Sequence, residues 1–132
     1  MLVPFSTAAA SHGVGVATHG VTNLAGADGD KRCRVESKRA FAFTNGAGGD
    51  AFADTDIIGA PVFATDDHTV AKTSSSGTRK AVGFFMGMET DGKVRVFVDP
   101  PLARLYATLA ALTDSPATAD ALRDNLVAGV AV

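Results

Sequence analysis

From Lys31 to Phe43 the chain alternates. Cys33, Val35, Ser37, Phe41 and Phe43 fall on one side of an extended backbone, and Arg32, Arg34, Glu36 and Lys38 on the other. Successive side chains of a strand point to opposite faces, so this is the pattern of a half-buried strand, with Arg39 the exception on its inner face. The segment NGAGGD, Asn45 to Asp50, reads as a loop. Ile57 to Thr65 is the next predicted strand; Pro61 lacks an N–H for the ladder and marks an edge or an irregularity. Asp66-Asp67-His68 turns the chain into a strand over Thr69–Thr73, and Ser74-Ser75-Ser76-Gly77 makes a longer loop. Ala81 to Met88 is apolar on both faces, with Val82, Phe84 and Met86 against Phe85, as expected of a central buried strand. Asp91-Gly92 is the strongest hairpin signal in the chain, and beyond it Val94, Val96 and Val98 alternate with Lys93, Arg95 and Phe97.

The period then changes from two to 3.6. Asp99 suits an N-cap, and Pro100 and Pro101 suit the first helical turn, where their missing N–H groups would have no partner in any case. Leu102, Leu105, Tyr106, Leu109 and Leu112 follow as one apolar stripe. Ser115-Pro116 predicts a second helix carrying Leu122, Leu126 and Val127, with Gly129 as its stop. Together these make an αα-hairpin that must cover the sheet or meet a neighbouring copy. Leu102, Leu105, Tyr106 and Leu109 therefore either pack on the strands or line an oligomer contact.

Residues 1–30 show neither period and are rich in Gly and Ala. A segment of this kind cannot bury enough apolar area to offset the entropy of ordering itself. It reads as an extended arm that docks on another chain or on its own domain, with Leu2, Val3, Phe5, Val14, Val16, Val21 and Leu24 as its apolar anchors. The expected organisation is thus an arm over 1–30 and a mainly β domain over 31–132. That domain is a small compact sheet or barrel of five or six short strands, followed by two C-terminal helices.

Composition narrows the function. The chain has 132 residues, 46% hydrophobic and 20% charged, with 14 glycines, which suits one loop-rich β domain able to bury a core without metal or disulfide. Its single cysteine, Cys33, forms no intrachain disulfide and reads as a small core residue. Secretory-signal and membrane-span patterns are not seen, so a soluble protein is expected. The net charge of −2 conceals segregation. Lys31, Arg32, Arg34, Lys38 and Arg39 oppose Glu36 alone, a local +4 that leaves −6 on the remainder. Arg32, Arg34 and Lys38 form a basic face that either meets an acidic neighbour or is simply solvated. Nucleic acid is not expected, because no stacking aromatics or known module accompany these residues.

Catalytic constellations are not signalled. No G-x-S-x-G occurs, Cys33 has no indicated histidine partner, and Gly13-Val-Gly15 lacks the lysine of a phosphate loop. His12 and His19 lie in a segment without helical signals, and the Asp28–Asp30 and Asp50–Asp56 carboxylates do not follow calcium-loop spacing. We therefore expect no enzyme, no metal and no cofactor.

One resemblance adds to this. The order IGAPVFATDDHTVAKT (Ile58–Thr73) followed by GTRKAVGFFMGMETDGKVRVFV (Gly77–Val98) is similar to the small β domain of tailed-bacteriophage capsid decoration, or cement, proteins of the Mu-like type. It covers about a third of the chain and rests on strand–turn order. The resemblance implies a structural virion protein on the outer capsid surface, assembled in the host cytoplasm. It also implies the major capsid protein as partner, a homotrimeric state and no catalytic motif. Other readings of the same features are a connector, tail-tube or head-fibre-base protein, or a small non-viral ligand-binding β domain.

Overall fold

The computed structural model describes residue 6, residues 12–27 and residues 29–113. It is mainly β. Strands β1 (Val16–Ala17) and β2 (Val35–Glu36) form a short antiparallel ribbon. Strands β3 (Arg39–Asn45), β4 (Pro61–Ala64), β5 (Thr69–Ala71), β6 (Lys80–Met88) and β7 (Val94–Val98) close into a barrel in the order β3-β5-β4-β6-β7. Helix α1 (Pro100–Thr113) follows, lying against β6 and β4. The second helix predicted from Ser115-Pro116 lies outside the described residues.

β7 shows how sequence builds the wall. Val94, Val96 and Val98 point into the barrel and are buried, while Arg95 and Phe97 face outward. Branched side chains in alternation suit a pleated surface with one buried face. The Asp91-Gly92 turn joins β7 to β6 as predicted. Gly92 takes φ +82, its N–H donates to the Glu89 carbonyl at 3.0 Å, and Glu89 and Arg95 form an ion pair at 2.6 Å across the hairpin. β3 pairs antiparallel with β7 from Arg39–Val98 to Phe43–Val94. Closure is made on the other side of β3, where Thr44 and Asn45 pair parallel with Thr69 and Val70 of β5.

Three local predictions are corrected. The strand read over Lys31–Phe43 is two, because Lys38 sits at φ +58 and breaks it between β2 and β3. Arg39 keeps the parity of Phe41 and Phe43 but stands at the first position of β3, where it is exposed and pairs with Glu36 at 2.9 Å. The strand read from Ile57 begins only at Pro61; Ile57 and Ile58 occupy an exposed turn ahead of it. In β6, Val82 does not share a face with Phe84 and Met86. Val82 and Phe85, three apart, both reach the core, because the β4 register shifts between Val62 and Phe63 and leaves Val82 as an extra residue; the β7 register shifts again between Phe85 and Met88. Gly87 at φ +120 sits in the second irregularity, a backbone that side chains with a Cβ rarely adopt.

The core is Phe52, Val62, Ala64, Val70, Val82, Phe85, Val94, Val96 and Val98. Each large member contributes roughly 1.5–3 kcal/mol on leaving water. Phe85 is fully buried and stacks on Phe52, ring centroids 4.7 Å apart and 9° between planes. Phe52 belongs to a loop, not a strand. Asn45 holds it there, its amide donating to the Phe52 carbonyl and its oxygen accepting from the Phe52 N–H, both at 2.9 Å. Gly83 is required by closeness, since a Cβ there would run into the Phe97 carbonyl and stand 2.7 Å from Val96 Cγ1.

Candidate functional site

Helix α1 starts as the sequence predicts. Asp99 is nearly buried; its N–H donates to the Val82 carbonyl at 3.1 Å, and its carboxylate accepts from the Leu102 N–H at 3.4 Å. What the helix does with its faces is the reverse of an ordinary amphipathic helix. Ala103 is fully buried against the barrel, while Leu102, Leu105, Tyr106 and Leu109 are 49%, 57%, 49% and 43% exposed. Tyr106 keeps one contact inward, an edge-on packing against Phe84 at 5.7 Å and 81°. The small residue lets the helix approach the strand closely, and the leucines are left outside. A leucine left half in water forgoes about 1 kcal/mol of transfer free energy, so the face holds a few kcal/mol in reserve for a contact.

A second apolar feature has no signal in the sequence pattern. Ile57 and Ile58 are 79% and 58% exposed on the turn before β4, and Met86 on β6 is also exposed. The Gly59 N–H donates to the Phe85 carbonyl at 2.7 Å, which ties this turn to the same strand that carries the helix. The β-branched character of the isoleucines matches the strand that follows, so periodicity groups them with it; the turn that separates them is closed by the Ala60 N–H donating to the Ile57 carbonyl at 3.1 Å.

The basic segment is less free than its charge count suggests. Glu36 is shared by Arg34 at 3.1 Å and Arg39 at 2.9 Å. Lys31 donates to the Thr22 carbonyl at 2.7 Å, closing a loop. Arg32 and Lys38 are exposed and pair with no carboxylate among the described residues. Of the basic face Arg32, Arg34 and Lys38, two members thus project unpaired.

The arm anchors divide. Leu2, Val3 and Phe5 lie outside the described residues. Val14 and Val21 are exposed and Leu24 almost fully so, at 96%. Val16 is half-buried and packs on the core through the β1–β2 ribbon. Gly13 passes so close to the barrel that a Cβ there would stand 3.0 Å from Val82 Cγ1. Residues 13–18 are therefore docked on their own domain, with the Thr18 N–H donating to the Arg34 carbonyl at 3.0 Å.

Two polar clusters complete the surface. Asp66, Asp67 and His68 bring their ligand atoms within 4.8 Å of one another, the group among the described residues with ligand types suited to a metal. The Asp66 oxygen already accepts the N–H groups of His68 and Thr69, at 2.9 and 2.7 Å, so its first role is to make the turn. Partial burial works to raise the Asp66 pKa, but those N–H donors outweigh it and hold the pKa below the ordinary value. The Asp67 carboxylate, hydrogen-bonded at 2.6 Å, and then Asp66 raise that of His68. On the other side of β5, Asn45, Asp50, Thr65, Thr69 and Arg79 line an open cleft of about 290 Å3. Asp50 accepts from Thr73 and pairs with Arg79 at 3.0 Å, so its charge is already matched.

Among the described residues no helix is long and apolar enough to cross a membrane. Comparison with family models, curated proteins and solved structures found no match to this chain.

Proposed function

We propose that the chain is a structural virion protein that binds the outer surface of a tailed-phage capsid and stabilises it, a decoration protein acting as a homotrimer on the major capsid protein. The observation that carries this reading is the outward leucine face of α1 on a closed barrel, joined by the exposed Ile57 and Ile58. The strand–turn order shared with capsid decoration proteins gives that surface its partner. A closed barrel has no free edge for uncontrolled pairing, so contact is confined to what is displayed on its outside. Several weak contacts made together raise avidity without any one being strong. The arm and the unpaired Arg32 and Lys38 supply further contacts, the latter toward an acidic shell surface.

A clamp that binds the assembled shell but not the free subunit stabilises the shell by mass action, increasingly so with its free concentration. Shells with and without the protein should differ in the temperature at which DNA escapes, and adding the protein back should restore the higher value. Equal release temperatures with the protein demonstrably bound would remove the cementing role.

A further inference from the structure

We infer that Asn45-Gly46 is a self-modification site built into the barrel wall: when the wall opens beside it, the Gly46 nitrogen attacks the Asn45 carboxamide, and the acid that results cannot hold Phe52 as the amide did. The inference stands apart from the decoration reading. Asn-Gly occurs once in the chain, and the sequence pattern gives it only as the start of a loop. The structure shows why both residues are there. Asn45 ends β3, and its side chain is the double hydrogen-bond partner of the Phe52 backbone, 2.9 Å for each bond. Gly46 follows because the chain is crowded: a Cβ there would stand 3.0 Å from the Val70 carbonyl oxygen and 3.1 Å from that of Asp50. Two structural needs thus place a carboxamide next to a backbone nitrogen that no side chain shields. Asparagine is a thermolabile residue, and a glycine after it leaves the attacking nitrogen least hindered.

The chemistry needs only water. The Gly46 nitrogen gives up its proton to solvent base and bonds to Asn45 Cγ; the Cγ–Nδ2 bond breaks, and Nδ2 takes up a proton and leaves as ammonia. Water then opens the cyclic imide at one of its two carbonyl carbons, giving aspartate or isoaspartate at position 45. In the closed barrel the carboxamide must first leave Phe52 before the ring can form. The gate is the parallel junction of β3 with β5, only two residue pairs long, and local opening frees so short a pairing without unfolding the rest. The product does not restore what was lost. A carboxylate still accepts from the Phe52 N–H, but it has no N–H for the Phe52 carbonyl and faces that carbonyl with an oxygen instead. It also brings a second negative charge to the cleft that holds Asp50, whose partner Arg79 is already engaged at 3.0 Å. Phe52, stacked on Phe85 in the core, is then tied by one hydrogen bond in place of two.

The test ages the full chain in mildly alkaline buffer under three conditions: folded, in urea below the unfolding transition, and unfolded. Trypsin then releases residues 40–72 as one peptide whose sole asparagine is Asn45, so the mass gain of an amide-to-acid change reports that position alone. The folded chain should convert about tenfold or more slowly than the unfolded chain, and low urea should speed conversion before the circular dichroism spectrum changes. The converted fraction, separated by ion exchange, and the variant Asn45→Asp should both melt about 4–12 °C below the unconverted chain, the effect of one orphaned buried acceptor. Equal rates in the folded and unfolded chain would overturn the inference, since the barrel would then not gate the site. Conversion that begins only with global unfolding would overturn it too, by removing the junction as the gate. An unchanged melting temperature in the converted fraction would show that the carboxamide does not secure Phe52. Should Asn45→Asp fail to fold, the aged wild-type fraction carries the comparison alone.

Discussion

Phe84 and Phe85 are adjacent in sequence and of equal size, and the structure gives them opposite roles. Phe85 is fully buried and stacked on Phe52, whereas Phe84 is half-buried and packs edge-to-face with Tyr106 of the helix. Truncating a fully buried Phe to Ala costs about 3–5 kcal/mol through lost transfer energy and the cavity left behind. For Phe84 part of the ring is already in water, and an edge-on ring pair adds about 0.5–1.5 kcal/mol, so Phe84→Ala should cost about 1–2 kcal/mol. At about 4 °C per kcal/mol for a domain of this size, Tm should fall by about 12–20 °C for Phe85→Ala and by less than about 8 °C for Phe84→Ala. The chain has no Trp and one Tyr, so urea and thermal unfolding are best followed by far-ultraviolet circular dichroism. Should Phe85→Ala prove too unstable to purify, Phe85→Leu and Phe84→Leu preserve the comparison. Equal costs, or a larger cost at Phe84, would refute the assignment of faces in β6 and with it the path of the barrel wall.

Asp99→Ala removes the acceptor for the Leu102 N–H; because that bond is long, the loss should be at the lower end of a cap's worth, about 0.5–1 kcal/mol. An unchanged urea midpoint would show that the two prolines start α1 unaided. Asp50 has its pKa held below 3.8 by the Thr73 hydroxyl first and Arg79 second. Its folded pKa is lower than its unfolded one, so its contribution is present above about pH 3.8 and lost as pH falls through the folded value. Asp50→Asn should therefore flatten the acid limb of the stability–pH curve and leave the slope between pH 5 and 8 as it was; an unaltered acid limb would refute the pairing.

The barrel strands were legible where side-chain alternation and turn chemistry agreed. The β6–β7 hairpin carries both, in the valines of β7 and in Asp91-Gly92, and it stands where the pattern put it. The start of α1 was legible for the same reason, from Asp99 and two prolines. The pattern failed where a single backbone residue interrupts the strand. Lys38 at φ +58 gives no composition signal, yet it divides one apparent strand into two. The bulge at Gly87 likewise moves Met88 to the core side, three residues after Phe85. Phe52 was not recognised as core because its place is fixed by the side chain of Asn45, a contact seven residues away that no periodicity encodes. For α1 the stripe was visible, but its direction was not. Periodicity says which residues share a face, and only packing says whether that face looks in or out.

The parallel pairing of Thr44 and Asn45 with Thr69 and Val70 has a kinetic consequence. Every other neighbouring pair in the barrel is antiparallel, and β3–β7 alone matches five residues, so this two-residue junction is the shortest in the wall along with β4–β5. β4–β5 is joined by a four-residue connection, whereas Asn45 and Thr69 are separated by the whole of β4 and its loops. The loop entropy for this junction must be met before its few hydrogen bonds form. It should close late in folding and open early under native conditions. Hydrogen exchange should then be graded around the circumference, with the amides of β7 the slowest to exchange and those of Thr44 and Val70 among the fastest in the barrel. Opened there, the molecule would pass through a curved five-stranded sheet still carrying its helix, with Phe52 and Val70 the first of the core residues to meet water.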